Sequence, residues 1–108
     1  MKAFRIEALL ATHERSKESY LEFLRDGFFS AGLYVLPAGS EDPQTPHAED
    51  EIYYVVEGRG RITVGEEAQP VGPGAVIYVA TAVPHHFHDI SERLTLLVVF
   101  APAEGSLA

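Results

Sequence analysis

The chain has 108 residues, with eight basic and sixteen acidic side chains, five histidines, and neither cysteine nor tryptophan. That length suits one domain with one core, and a formal net charge of −8 sets the chain against nucleic acid and anionic membrane surfaces. Disulfides and thiolate metal ligands are excluded outright.

The opening residues, Met1-Lys2-Ala3-Phe4-Arg5-Ile6-Glu7, mix charge with apolar groups and lack the 7–15-residue core of a signal peptide. The longest apolar stretch, residues 94–101, is less than half of the ~20 residues a membrane helix needs. A soluble, cytoplasmic protein is expected. Within residues 13–26, charges at Glu14 and Glu18 would suit a short surface helix. Against this, Asp26-Gly27 between two apolar runs is a hairpin signal. The reading favoured is a loop through Ser19 and a strand over 20–25, with a short helix as the alternative.

From residue 31 onward the apolar residues come in short runs rich in Val, Ile, Tyr and Phe: 31–36, 51–57, 59–64, 75–79, 85–90 and 93–101. Turn chemistry separates them, as in Pro37-Ala38-Gly39, Glu57-Gly58-Arg59-Gly60, Val64-Gly65-Glu66-Glu67 and Val71-Gly72-Pro73-Gly74. This is the pattern of an all-β sandwich or barrel.

Four of the five histidines sit near strand starts, while His13 stands alone as a surface residue. Side chains alternate along a strand, so His47, Glu49, Glu51, Tyr53 and Val55 share one face and Ile52, Tyr54 and Val56 the other. An inward glutamate on so apolar a strand needs a partner, because a buried lone carboxylate is costly. A metal ion or an imidazole would supply one. In Val83-Pro84-His85-His86-Phe87-His88, His85 and Phe87 share a face, and His86 and His88 point the opposite way, to solvent or a subunit contact. One histidine from this strand with His47 and Glu51 makes a two-imidazole, one-carboxylate set that leaves coordination positions open.

These two segments resemble the two motifs of the cupins. In the first, Gly39 is followed by five residues, then Thr45-Pro46-His47, three residues, Glu51, six residues and Gly58. Every spacing matches; Thr45 stands where the family has its first histidine. In the second, Gly74 is followed by five residues, then Ala80-Thr81-Ala82-Val83-Pro84-His85, three residues and Asp89. Ala80, Ala82 and Asp89 replace the motif's Pro, Gly and Asn, and the histidine is kept.

The resemblance implies a double-stranded β-helix, two antiparallel sheets rolled into a jelly-roll barrel with the site at its mouth. Residues 1–108 would form a single cupin domain, with an N-terminal arm over about 1–30 and the motif-bearing barrel over 31–101. Position by position, the resemblance assigns His47, Glu51 and His85 as ligands of one divalent metal per chain, Mn, Fe, Zn or Ni. Water, Gln44 or the Thr45 hydroxyl are candidates for the fourth position. The expected function is that of a metal-dependent enzyme on a small polar organic molecule, with dioxygenase-like chemistry favoured. The alternative is a small-ligand-binding or sensing cupin without catalysis. Tyr53 is a candidate proton donor or an inward core aromatic, and Glu49 a candidate base beside the ligands or a solvated carboxylate. Residues 94–101 are apolar on both faces, so a homodimer, or the N-terminal segment, is expected to cover the outward one.

Overall fold

Chain punctuation and pleat alternation translate directly into the order of elements in the computed structural model, which describes residues 1–43 and 48–105. A helix, α1 (Ile6–Ser16), precedes strands β1 (Tyr20–Arg25), β2 (Ser30–Leu36), β3 (Asp50–Val64), β4 (Glu67–Val71), β5 (Val76–Val79) and β6 (His85–Ala101). All pairings are antiparallel, in the order β1-β2-β6-β3-β4, with β5 also on β3. This is the jelly-roll barrel expected. Among the described residues, no helix is long and apolar enough to cross a membrane.

Two strands build both layers. The first half of β3 pairs with the second half of β6, Glu51 opposite Phe100 and Tyr53 opposite Val98, while its second half pairs with the start of β6, Val64 opposite His85. Between the halves, register shifts at Val55/Glu57, Glu57/Arg59 and Arg59/Arg61 bend β3 from one wall to the other. Glu57-Gly58-Arg59-Gly60 is therefore a bulged corner within one strand, correcting the turn expected there. Gly58 permits it: φ is +96°, and a Cβ would collide with the Arg93 carbonyl of β6. For the same reason the expected runs 85–90 and 93–101 are a single strand.

Two other expectations need correction. The loop expected through Ser19 is largely α1, which starts earlier than the helix weighed for residues 13–26. Its signal is faint: a half-buried stripe of Ile6, Leu9, Leu10 and His13, and no side-chain cap at Arg5. Strand β4 carries Pro70 and mostly exposed residues, so it lacks the apolar pattern that marks its neighbours. The strand at 20–25 and its hairpin are as expected, with Arg25 opposite Ser30 and the turn closed by Asp26 and Phe29.

Inside, Tyr34, Leu36, Tyr53, Val55, Ile62, Phe87, Leu94, Leu96, Val98 and Phe100 belong to one buried cluster. The segment between β2 and β3 runs beside the start of β6, where Gly39 N–H donates to Ile90 O and Asp42 N–H to Phe87 O. That pairing delivers an acidic side chain to the same end of the barrel as Glu51 and His85.

Candidate functional site

Strand parity places Glu51 and Tyr53 inward from one wall, 1% and 0% exposed, while Ile52 and Tyr54 face outward at 46% and 42%. On the other wall His85 and Phe87 point inward, at 5% and 0%. The alternation read from the sequence is thus the alternation of the barrel.

Across the barrel, His85 Nε2 lies 3.3 Å from Glu51 Oε1 and 3.1 Å from the Tyr53 hydroxyl. His85 Nδ1 lies 2.9 Å from the Val83 carbonyl oxygen, which can only accept, so Nδ1 carries a proton. In the neutral ring Nε2 then carries the lone pair and accepts from Tyr53; in the protonated ring Nε2–H donates to the Glu51 carboxylate. The Tyr53 ring also stands edge-on to Phe87, with centroids 5.0 Å apart, which fixes its approach. Burial alone would pull the imidazole pKa down. The hydrogen bond to Glu51, the Val83 carbonyl, and the charges of Glu51 and Asp42 together outweigh it and hold the pKa above the ordinary histidine value.

Local structure aims these groups. Asp50 accepts a hydrogen bond from the Thr81 N–H at 2.8 Å, and the Thr81 hydroxyl donates to the Ala48 carbonyl. The start of β3 is thereby tied to the loop preceding His85. In that loop the Val83 N–H bonds to the Ala80 carbonyl, and Ala82 has φ +63°, at the position where the motif has glycine. Asp89, where the motif has asparagine, has φ +48°, a conformation both residues tolerate.

Asp42 was not legible in the sequence as a site residue. It is 6% exposed, accepts from the Tyr34 hydroxyl at 2.6 Å and from the Phe87 N–H at 3.2 Å. With Pro43, Thr63, His85 and His86 it lines a cavity of about 360 Å³ at this end of the barrel. Only the sequence Glu41-Asp42-Pro43 hinted at it, and an acid beside proline in a loop is an ordinary solvated feature.

The remaining candidates separate clearly. Glu49 is buried at 3% exposure, which corrects its reading as a solvated carboxylate, but the contacts joining Glu51, Tyr53 and His85 do not include it. His47, Gln44 and Thr45 lie outside the described residues. His86 is exposed, and His88 bonds Thr63 Oγ1 at 2.7 Å and Asp89 at 3.0 Å on the outward face. His13 bonds the Ser19 carbonyl, tying α1 to the start of β1.

A model of the family described as Cupin domain matches residues 32–100, which runs from β2 to β6 and includes Asp42, Glu51, Tyr53 and His85. The chain is a cupin. The uncharacterized protein SCO3923 of Streptomyces coelicolor is 53% identical to this cupin over 105 residues, covering 97% of this chain and 100% of that protein. Among solved structures, TT1209 from Thermus thermophilus matches with a TM-score of 0.79 and 26% identity, covering 95% of this cupin and 99% of that chain. The ectoine synthase from P. lautus shares the fold with a TM-score of 0.76 at 23% identity, covering 95% and 79%.

Proposed function

We propose that this cupin binds one divalent metal ion through His47, Glu51 and His85 and acts on a small polar organic molecule at the barrel mouth. One observation carries the reading. A buried imidazole, its Nδ1–H already held by a backbone carbonyl, aims Nε2 at a buried carboxylate 3.3 Å away. Metal-binding histidines are oriented in this manner, with the far nitrogen donating to a carbonyl and the near one left basic. The donor set of nitrogen and oxygen suits Mn, Fe, Zn or Ni, and cysteine is absent to compete. A bound ion would supply Lewis acidity toward a substrate oxygen.

The chain's own groups do the rest. Tyr53 holds a proton at its hydroxyl within hydrogen-bond reach of His85 Nε2, at the inner wall of the site. Asp42 adds negative charge at the same end and is fixed by Tyr34. Phe87 and the surrounding core exclude water from beneath the ligands. The ectoine synthase found among similar folds is an enzyme by its name, which supports a catalytic use of this architecture over a passive one. Dioxygenase-like chemistry is the first reaction type to test, and the protein is expected in the cytoplasm.

Elemental analysis of untagged protein should give close to one metal per chain, with sharp loss in Glu51→Gln and His85→Ala. Metal retained fully in both variants would overturn the ligand assignment. Oxygen uptake and a panel of small carbonyl and hydroxy acids, with each metal restored, then separate enzyme from binder. Saturable binding without turnover would favour the binder. Thr45→His should strengthen metal retention by restoring the family's donor; no gain would show that residue 45 does not face the site.

A further inference from the structure

On the outer side of the strand that carries His85, two more imidazoles stand side by side. Alternation along β6 turns His86 and His88 outward, while His85 and Phe87 face the core. The rungs of the sheet bring Thr63 opposite His86 and Arg61 opposite His88, both from the end of β3. The two imidazole rings lie 4.9 Å apart between centroids and are inclined by 34°. His86 is exposed and its ring makes no hydrogen bond to a described residue, so it turns freely about its own side-chain bonds.

His88, by contrast, is held. Its Nδ1 lies 3.0 Å from the Asp89 carboxylate, which only accepts, so Nδ1 carries a proton. In the neutral ring Nε2 is then the basic nitrogen, and the Thr63 hydroxyl donates to it over 2.7 Å. The arrangement is that of His85, with one nitrogen fixed by an oxygen acceptor and the other left with its lone pair. A carboxylate on the far nitrogen is also what orients a metal-binding imidazole and raises its basicity. With its side chain 20% exposed next to the open His86, His88 is within reach of an ion from solvent.

We propose that His86 and His88 hold a second divalent ion on the outer face of the barrel, separate from the one at Glu51 and His85. Metal–nitrogen bonds of about 2.0–2.1 Å let one ion join the two rings once His86 turns toward it. The Thr63 hydroxyl is a weak third donor, and water completes the shell. Two imidazoles and one hydroxyl select copper(II), nickel or zinc over calcium or magnesium, which need several oxygen ligands. Arg61 opposite His88 adds positive charge, so the ion is held by coordinate bonds to nitrogen and not by charge alone. Asp89 stays outside the coordination shell, its carboxylate committed to His88 Nδ1. Two imidazoles make a weaker site than the proposed inner set, so the outer ion is taken up only when metal is supplied. Thr63 and His86 line the same cavity as Asp42 and His85, which places the outer ion at the rim of the inner site.

Calorimetric titration of the full chain with nickel(II) at fixed pH tests it, with circular dichroism to confirm folding. One binding event should weaken about 100-fold in His86→Ala and in His88→Ala, and about 10-fold in Asp89→Asn. Asparagine tolerates the φ of +48° at residue 89, so that variant keeps the backbone. The same event should be unchanged in Glu51→Gln and in His13→Ala, whose imidazole lies on α1. Nickel binding unaffected in both β6 histidine variants would overturn the outer site, and an event that depends on Glu51 alone would leave the inner one standing. Should those variants fail to fold, carbethoxylation of the native chain by diethyl pyrocarbonate, mapped by mass spectrometry, decides. Nickel should protect His86 from the reagent, and equal modification of His86 with and without nickel would overturn the proposal.

Discussion

Gly58→Ala is the perturbation whose cost follows most directly from the backbone. Gly58 sits in the bulged corner of β3 with φ +96°, and Gly74, before β5, has a similar φ of +92°. An alanine at either position takes on a left-handed conformation, which costs about 1–2 kcal/mol. At Gly74 the new Cβ meets nothing within 4 Å, so the cost ends there. At Gly58 it meets the Arg93 carbonyl carbon at 2.6 Å and the Leu94 Cα at 2.8 Å, besides the Arg93 oxygen. All three are backbone atoms of the central strand, and no rotamer change relieves them.

The corner must therefore open. Separating β3 from β6 there weakens one or two ladder hydrogen bonds, about 1 kcal/mol each. It also loosens the packing of Leu94, which is fully buried. Adding an overpacking cost of about 1–3 kcal/mol brings Gly58→Ala to about 3–7 kcal/mol, against about 1–2 kcal/mol for Gly74→Ala. Urea unfolding followed by circular dichroism measures both, provided the slope of the transition is unchanged. If the two variants fall within about 0.5 kcal/mol of each other, the corner is not held by the close approach of these strands.

Three further outcomes follow from the site and its loop. In metal-free protein the raised pKa of His85 means that its stabilising contribution is complete below the unfolded value of about 6.5 and is lost as pH rises through the folded value. Glu51→Gln should flatten the slope of stability above about pH 6.5, and an unchanged slope would assign it to another group. Ala82→Gly should stabilise the fold by about 1 kcal/mol, since φ +63° is strained for alanine, without altering metal content. Thermal unfolding at fixed pH reads this; a loss of stability would mean that the alanine side chain contributes packing. Asp42→Ala removes the acceptor for the buried Tyr34 hydroxyl and Phe87 N–H and should cost about 2–4 kcal/mol in urea unfolding. A cost below about 1 kcal/mol would show that both donors find other partners.

What was legible in the sequence was whatever depends on local alternation. A strand has period two, so knowing that Glu51 points inward fixes Tyr53 and Val55 inward and Ile52 and Tyr54 outward, and His85 with Phe87 follows the same rule. What was not legible depends on contacts distant in sequence. Asp42 becomes part of the site only because its backbone pairs with Phe87, 45 positions away. The corner at Gly58 reads locally as a turn, and only the presence of β6 behind it makes a bend within a continuous strand cheaper than a reversal. Helix α1 and strand β4 have too few apolar residues to announce themselves; the barrel supplies the surface on which they form.

The three departures in the second motif bear on stability rather than on donors. Ala82 keeps the glycine's positive φ at an energetic cost, Asp89 keeps the asparagine's conformation with little cost, and Ala80 still closes the turn through its carbonyl. His85 consequently reaches Glu51 in spite of a motif altered at three of its positions. The single departure in the first motif is of a different kind, because Thr45 exchanges an imidazole nitrogen for a hydroxyl. A hydroxyl is a harder, weaker donor, so the exchange moves preference toward ions that accept oxygen ligands. Backbone geometry has thus been preserved around His85, and under the proposed ligand assignment the donor chemistry differs from the family motif at residue 45. If the proposed ligand assignment holds, specificity in this cupin should accordingly be sought in that ligand set and in Asp42 beside it, and not in the loop that carries His85.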